Sequence, residues 1–256
     1  MEILALKDLS CYFGGLKAVE KFNILIQKDE LIGLIGPNGA GKTTVFNVLT
    51  GIYPPTSGEV IFQGESIGGL LSHKITQKGI ARTFQNIRLF PNLSVLENIM
   101  IAYHFSSNYS IFSSIIRDEN YHRGEEDMVE KAIGLLGLFN LQTYADNLAG
   151  NLSYGEQRKL EIARALATKP QLLLLDEPAA GMNPYETIKL MELVKKVKED
   201  FQLTIFLIEH HMQFVMGICE RIMVMDFGVQ IAEGTPEEIQ NNPRVIEAYL
   251  GEKKKC

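Results

Sequence analysis

What the chain lacks narrows it first. No apolar run approaches about 18 residues, so the sequence offers no helix able to cross a bilayer. Positive charge is in deficit: 25 Lys and Arg stand against 31 Asp and Glu, a formal net charge of −6. That balance argues against a nucleic-acid surface as the main partner. The Lys253-Lys254-Lys255 run is short and terminal and reads as a solvated end. Cysteine is scarce. Cys11, Cys219 and Cys256 form no even-numbered disulfide framework and show no metal-ligand spacing, which fits a reducing cytosol. The opening Met1-Glu2-Ile3-Leu4 lacks a basic stretch leading into an apolar core, so no secretory signal is expected. Internal repeats and low-complexity stretches are missing too. These absences together predict a soluble, intracellular protein.

What is present is more specific. At 256 residues, 46% of them hydrophobic, the chain can bury a sizeable core, and its length suits one large domain with an inserted lobe. The run Gly36-Pro37-Asn38-Gly39-Ala40-Gly41-Lys42-Thr43-Thr44 follows the apolar segment Leu31 to Ile35 and opens onto a helical pattern. Strand, glycine loop and helix with this spacing describe a phosphate-binding P-loop. Glycines let backbone N–H groups curl round an anion, and a helix N-terminus adds positive potential there. Lys42 supplies a mobile charge for the β- and γ-phosphates, and the Thr43 hydroxyl is placed to ligate Mg²⁺. Binding of a nucleoside triphosphate is the expectation.

Residues 1–90 read as short strands and turns: Ala5 to Tyr12, Phe22 to Ile26, and Glu59 to Phe62 after the Ser57-Gly58 turn. From Ser94 to about Leu148 the spacing turns helical, with Val95, Leu96, Ile99 and Met100, then Val129, Ala132, Ile133 and Leu136 recurring every three or four residues. Ser106 to Gly124 between them is polar and aromatic and reads as a variable insertion. Residues 91–150 are therefore predicted to form a helical lobe set into a core of 1–90 and 151–256. The core resumes with a strand at Leu172 to Leu175, a helix at Tyr185 to Glu199 and a strand at Leu203 to Ile208. Strands alternating with helices imply a mostly parallel sheet with ligands at its carboxyl edge. The segment from Ile222 to Ala232 reads as a hairpin turning at Phe227-Gly228. Thr235-Pro236-Glu237-Glu238 has capping-box spacing with proline at the first helical position.

A second signal is the apolar strand that runs into Asp176-Glu177. It delivers the Asp176 carboxylate to the sheet edge beside the P-loop, where Mg²⁺ needs an oxygen partner, and points Glu177 to the opposite side as a general base for water.

Between these two lies Leu152-Ser153-Tyr154-Gly155-Glu156-Gln157, which resembles the signature motif of ABC-transporter ATPase subunits. The resemblance covers essentially the whole chain. The family commonly has Leu-Ser-Gly-Gly-Gln; here Tyr154 replaces a glycine and Glu156 precedes Gln157, while Ser153 and Gly155 are kept. The implied fold is α/β: a P-loop NTPase core with a mostly parallel sheet, an antiparallel β subdomain and an inserted helical lobe. The implied activity is ATP hydrolysis with Mg²⁺ at a head-to-tail dimer, each ATP lying between one P-loop and the partner's signature. Ser153 then caps a second phosphate-binding helix that runs to about Thr168, with Leu160, Ala163, Leu166 and Ala167 on its core face.

The resemblance carries further positions. ATP-binding residues are Gly36, Asn38, Gly39, Gly41, Lys42, Thr43 and Thr44, with Ser153, Gly155 and Gln157 from the signature. Thr43, Gln85 and Asp176 serve the metal. Glu177, His210 and Gln85 serve catalysis, with His211 standing where the family more often has Asp. Phe13 is placed to stack on adenine, Tyr12 being its rival. Ala180-Gly181-Met182-Asn183 matches the loop that crosses to the partner, Asn183 replacing a common Asp. Tyr154, Ala179 to Pro184, Leu207 to His210 and the tail from Gly234-Thr235-Pro236 to Tyr249-Leu250-Gly251 resemble the subgroup that energises import of branched-chain amino acids. Subgroups for urea import or lipopolysaccharide export share parts of this pattern, and a soluble non-transport ABC ATPase is a further alternative. The implied partners are transmembrane permease subunits, a second ATPase subunit and, indirectly, a periplasmic or extracellular solute-binding protein. The implied location is the cytoplasmic face of the membrane. Leu89, Phe90, Leu93 and Val95 are candidates to receive a permease helix and equally candidates for the core of the lobe.

Overall fold

Apolar runs too short for a helix and covered on both faces become central strands. Leu31–Ile35, Leu172–Asp176 and Thr204–Ile208 are buried at every residue. The computed structural model describes residues 1–106 and 119–250. Its chain divides into two compact units, Met1–Arg82 with Gln171–Cys256, and Thr83–Pro170.

The first unit holds two sheets. One is antiparallel, built from β1 (Glu2–Phe13), β2 (Leu16–Gln27), β4 (Ser57–Phe62) and β5 (Glu65–Ser66) in the order β2-β1-β4-β5. The other has the order β10-β9-β3-β8-β7-β6, from β3 (Leu31–Ile35), β6 (Ile80–Arg82), β7 (Leu172–Asp176), β8 (Thr204–Ile208), β9 (Arg221–Asp226) and β10 (Val229–Gly234). Its pairs are parallel except for the edge strand β10. The helices of this unit are α1 (Lys42–Leu49), α2 (Ser72–Gln77), α6 (Pro184–Phe201), α7 (Met212–Ile218), α8 (Pro236–Gln240) and α9 (Pro243–Leu250). One core serves both sheets. Phe22 and Phe62 of the antiparallel sheet belong to the same buried cluster as Phe46 of α1 and Phe206 of β8. Phe46 and Phe206 meet edge to face with centroids 5.1 Å apart.

The first strands run longer than the sequence pattern indicates, because β1 and β2 pair along a hairpin that turns at Gly14, where φ is 57°. The sequence reading lacked α2 and β6. A three-residue strand carries no period, and β6 exists by pairing Ile80, Ala81 and Arg82 with Leu172, Leu173 and Leu174. The β9–β10 hairpin and the Thr235 capping box on Pro236–Gln240 occur where they were expected.

The second unit contains α3 (Val95–Ser106), α4 (Glu119–Leu138) and α5 (Tyr154–Ala167). It is wider than the 91–150 lobe of the sequence reading. The helix after Ser153 packs on α3 and α4, so it belongs to this unit and not to the core. Its face is the expected one: Leu160, Ala163, Leu166 and Ala167 are buried. On α4 the helical period is right but the face is turned. Met128, Ala132, Leu135 and Leu136 are buried, whereas Ile133 is exposed. The polar insertion expected at 106–124 falls largely outside the described residues, as does the Lys253–Lys255 end.

Phe206→Ala should destabilise the first unit by about 3–5 kcal/mol, the usual cost of deleting a fully buried aromatic ring. Urea denaturation followed by circular dichroism measures it.

Candidate functional site

Parallel strands present their carboxyl ends along one edge, and four of them lead into the residues singled out from the sequence. Strand β3 runs into Gly36, β6 into the segment before Gln85, β7 ends at Asp176, and β8 ends two residues before His210. Register pairs Asp176 with Ile208 and Leu34 with Ile208, so β7, β8 and β3 terminate side by side.

The loop after β3 curls in a way only glycine permits. Gly36 has φ 151° and Gly41 has φ 102°. A Cβ would lie 2.0 Å from the Met225 carbonyl at Gly36 and 2.3 Å from the Ala18 carbonyl at Gly41. Gly39 also has positive φ, while Asn38 is exposed. Gly41 is the N-cap of α1 and supplies no side-chain cap, so the backbone N–H groups of this helix start are offered to an anion. Lys42 is buried, and its Nζ donates to the carbonyls of Gly36 at 2.8 Å and Pro37 at 2.9 Å. Burial pushes its pKa below the ordinary lysine value, and the Glu177 and Asp176 carboxylates pull it back up. Thr43 is exposed and Thr44 half-buried at the helix start. Asp226-Phe227-Gly228 is the turn of the β9–β10 hairpin, with positive φ at Phe227 and Gly228. It braces the loop, the Gly228 N–H donating to the Ala40 carbonyl at 3.0 Å.

Asp176 is buried and ion-paired with Arg82, Nη2 to Oδ2 at 2.7 Å. The same guanidinium donates to Asn47 and Thr50 of the α1 segment at 2.8 and 3.1 Å. Thr43 and Asp176 together offer the oxygen donors that Mg²⁺ takes beside substrate phosphates. Among the described residues no group of three or more His, Cys, Asp and Glu forms a protein-only metal cage. Glu177 sits at φ 48°, an uncommon conformation for a non-glycine residue, with its N–H bound to the Ile208 carbonyl at 2.8 Å. His210 Nδ1 lies 3.5 Å from Glu177 Oε2. The His211 ring stands edge-on to His210, with centroids 4.6 Å apart. Phe13 is exposed and meets Tyr53 edge to face at 5.0 Å, whereas Tyr12 is half-buried with Lys17 over its ring.

Ser153, Gly155, Gln157 and Gln85 lie in the second unit. Ser153 is the N-cap of α5 in a reciprocal capping box: its Oγ accepts from the Glu156 N–H at 3.4 Å, and Glu156 Oε2 accepts from the Ser153 N–H at 2.9 Å. The Ser153 hydroxyl also donates to Glu156 at 2.7 Å and is the main cause of a carboxyl pKa below the usual range. Gly155 is half-buried, and the Gln157 amide donates to the Leu152 carbonyl at 2.9 Å. Gln85 is exposed, and its backbone is held by Arg158. Arg158 is fully buried. It donates to the carbonyls of Phe84 at 2.6 Å and Gln85 at 2.8 Å, to the Tyr154 hydroxyl at 3.0 Å, and pairs with Glu161 at 2.7 Å. Tyr154, the departure within the signature, is thereby tied to the segment that carries Gln85. Asn183 N-caps α6 in a capping box with Glu186. Of the proposed permease contacts, Val95 is fully buried and belongs to the core of its unit, while Phe90 is exposed.

Sequence reasoning missed Arg82 and Arg158. Each arginine stands beside a quoted motif, but nothing in local spacing shows that its side chain turns inward.

Comparison with known proteins agrees with this geometry. The family model for the ABC transporter matches residues 19–180, and that for the branched-chain amino acid ATP-binding cassette transporter matches 229–255. The chain is 47% identical over 250 residues to the high-affinity branched-chain amino acid transport ATP-binding protein BraF of Pseudomonas aeruginosa, spanning 98% of both chains. It is 46% identical to LivG of Escherichia coli, a protein of the same description, with the same coverage. Among solved structures, the ADP conformation of MJ1267, an ATP-binding cassette of an ABC transporter, superposes with a TM-score of 0.85 at 34% identity, covering 98% of this chain and 100% of that one. A dimeric post-hydrolysis cassette, MJ0796 bound to ADP and Pi, gives 0.77 at 26% identity, covering 91% and 99%.

Gly36→Ala should abolish binding of a fluorescent ATP analogue while the chain still folds, since the added methyl must displace the Met225 carbonyl or open the loop. Arg158→Met should cost about 3–5 kcal/mol, because it strands the Glu161 carboxylate in the interior. Faster amide exchange over residues 84–88 is the accompanying signature.

Proposed function

The chain belongs to the ABC transporter family of ATP-binding cassettes, and from that premise we propose that it is the ATP-hydrolysing subunit of an importer for branched-chain amino acids. ATP hydrolysis as a transporter subunit is the family's activity; the solute is the finer reading. It is supported by full-length identity of 46–47% to two branched-chain amino acid transport proteins and by the match of residues 229–255. No described helix is long and apolar enough to cross a membrane, so the pore is assigned to separate permease subunits, with this chain on their cytoplasmic face. A periplasmic or extracellular solute-binding protein would deliver the amino acid.

The observation that carries the mechanism is the convergence of Lys42, Asp176, Glu177 and His210 at neighbouring strand ends. Lys42 and the N–H groups around Gly36, Asn38, Gly39, Gly41, Thr43 and Thr44 bind the phosphates, and Phe13 stacks on adenine. Thr43 and Asp176 would hold Mg²⁺, which supplies charge neutralisation at the phosphates. Glu177 takes the proton of the attacking water, and His210 contacts the γ-phosphate end. Ser153 lies in the other compact unit of the chain, and in the family's head-to-tail arrangement the Ser153, Gly155 and Gln157 turn of a second subunit completes each site. We assign ATP binding to residues 1–90 and 151–256 and permease coupling to 91–150; the signature helix Tyr154–Ala167 lies within the compact unit Thr83–Pro170.

Two experiments test the reading. Glu177→Gln should keep ATP affinity within about 3-fold while turnover falls on the order of 100-fold or more, and gel filtration with ATP should show a trapped dimer. Unchanged turnover would remove Glu177 from its role. Subunits copurified from solubilised membranes should include a permease pair together with a second copy of this chain or a sister cassette. A urea importer, a lipopolysaccharide exporter or bound nucleic acid in that inventory would replace the proposed solute.

A further inference from the structure

One carboxylate at this edge has no role in the scheme above. Glu209 directly follows β8 and is fully buried, with 0% of its surface exposed. Its Oε1 accepts the Ala179 N–H at 2.9 Å. Its Oε2 accepts the N–H groups of His210 at 2.7 Å and His211 at 3.0 Å. The same oxygen lies 3.7 Å from His210 Nδ1. Filling space at a buried strand end calls for an apolar side chain, since removing a carboxylate from water is costly unless its oxygens are satisfied. Here three backbone donors from two separate loops converge on it, and charge-assisted bonds of this kind are the stronger class.

The two loops are the ones that carry chemistry. Ala179 lies two residues after Glu177 and opens the Ala179 to Asn183 segment, while His210 and His211 form the turn before α7 (Met212–Ile218). On one side the loops are joined by the ladder bond from the Glu177 N–H to the Ile208 carbonyl. On the other side Glu209 joins them through a side chain. Glu177 and His210 stand 3.5 Å apart between these two ties.

We propose that Glu209 is a positioning residue whose carboxylate clasps the loop after Glu177 to the turn bearing His210, so that the two side chains keep their working distance and the two loops move as one body. The importance of that distance rests on the ATPase reading above; the clasp itself does not. A partner subunit engaging Ala180 to Asn183 would then act on His210 through this carboxylate.

Hydrogen exchange and kinetics on the full chain, with the subunits that copurify with it, test the clasp. In Glu209→Gln the shape is kept, but an amide NH₂ faces a backbone N–H. Glu209→Ala removes all three bonds. Amides in the segments 178–183 and 209–213 should exchange faster together, on the order of 10-fold in Glu209→Gln and more in Glu209→Ala. Turnover should fall on the order of 10- to 100-fold with KM for ATP within about 3-fold, the pattern of misplaced catalytic groups with intact substrate binding. Should Glu209→Ala fail to fold, the nearly isosteric Glu209→Gln carries the test alone. Unchanged protection in Glu209→Gln, loosening of one segment without the other, or retained turnover with a raised KM would each overturn the proposal. A wild-type complex that does not hydrolyse ATP would defeat the ATPase reading instead, and the exchange result would still judge the clasp.

Discussion

A buried ammonium group has to find acceptors, and Lys42 finds them in the carbonyls of Gly36 and Pro37. That requirement shapes the edge of the sheet. The loop must double back over the lysine, which puts Gly36 and Gly41 at backbone angles closed to other residues and against the Met225 and Ala18 carbonyls. The hairpin turn at Gly228 then braces the loop from outside. Asp176 and Glu177 at the end of β7 favour the charged lysine that burial alone would discourage. Cation, carboxylates and open helix start are parts of one electrostatic arrangement, and a phosphate chain complements it.

Two buried arginines extend this order beyond the loop. Arg82 ends β6 and ties the Asp176 carboxylate to Asn47 and Thr50. In the second unit, Arg158 gathers the backbone of Phe84 and Gln85, the Tyr154 hydroxyl and Glu161 around one guanidinium. A planar fork with five donors suits such a task, and lysine could not replace it. Departures from the common signature become intelligible at this level. Tyr154 is a partner of Arg158, Glu156 closes the capping box on Ser153, and Asn183 retains the cap of α6 that an Asp would supply.

Much of the chemistry was legible because it resides in short segments. The glycine spacing before Lys42, the apolar run into Asp176-Glu177, the helix cap at Ser153 and the capping box at Thr235 express local rules that require no knowledge of the rest of the chain. The faces of helices were less legible. On α4, Ile133 belongs to the apolar spacing that marks the helix and is exposed, while Met128 and Leu135 are buried. Periodicity reports the angle between apolar residues, but the neighbours against which the helix packs decide which stripe turns inward. Val95 shows the same limit: an apolar residue near the Gln85 segment reads equally as a partner contact or as lobe core until packing shows it fully buried.

The sequence by itself determined the glycine loop before Lys42, the central strands at Leu31, Leu172 and Thr204, and the acidic pair at the end of β7, because backbone freedom, periodicity and chain order are written locally. Only the tertiary structure decided that the helix after Ser153 belongs with α3 and α4, that Arg82 and Arg158 turn inward, that β6 exists at all, and that Glu209 joins two loops. Each of these depends on a partner far away in sequence. No local pattern can record whether a polar group meets its acceptor after the chain has folded.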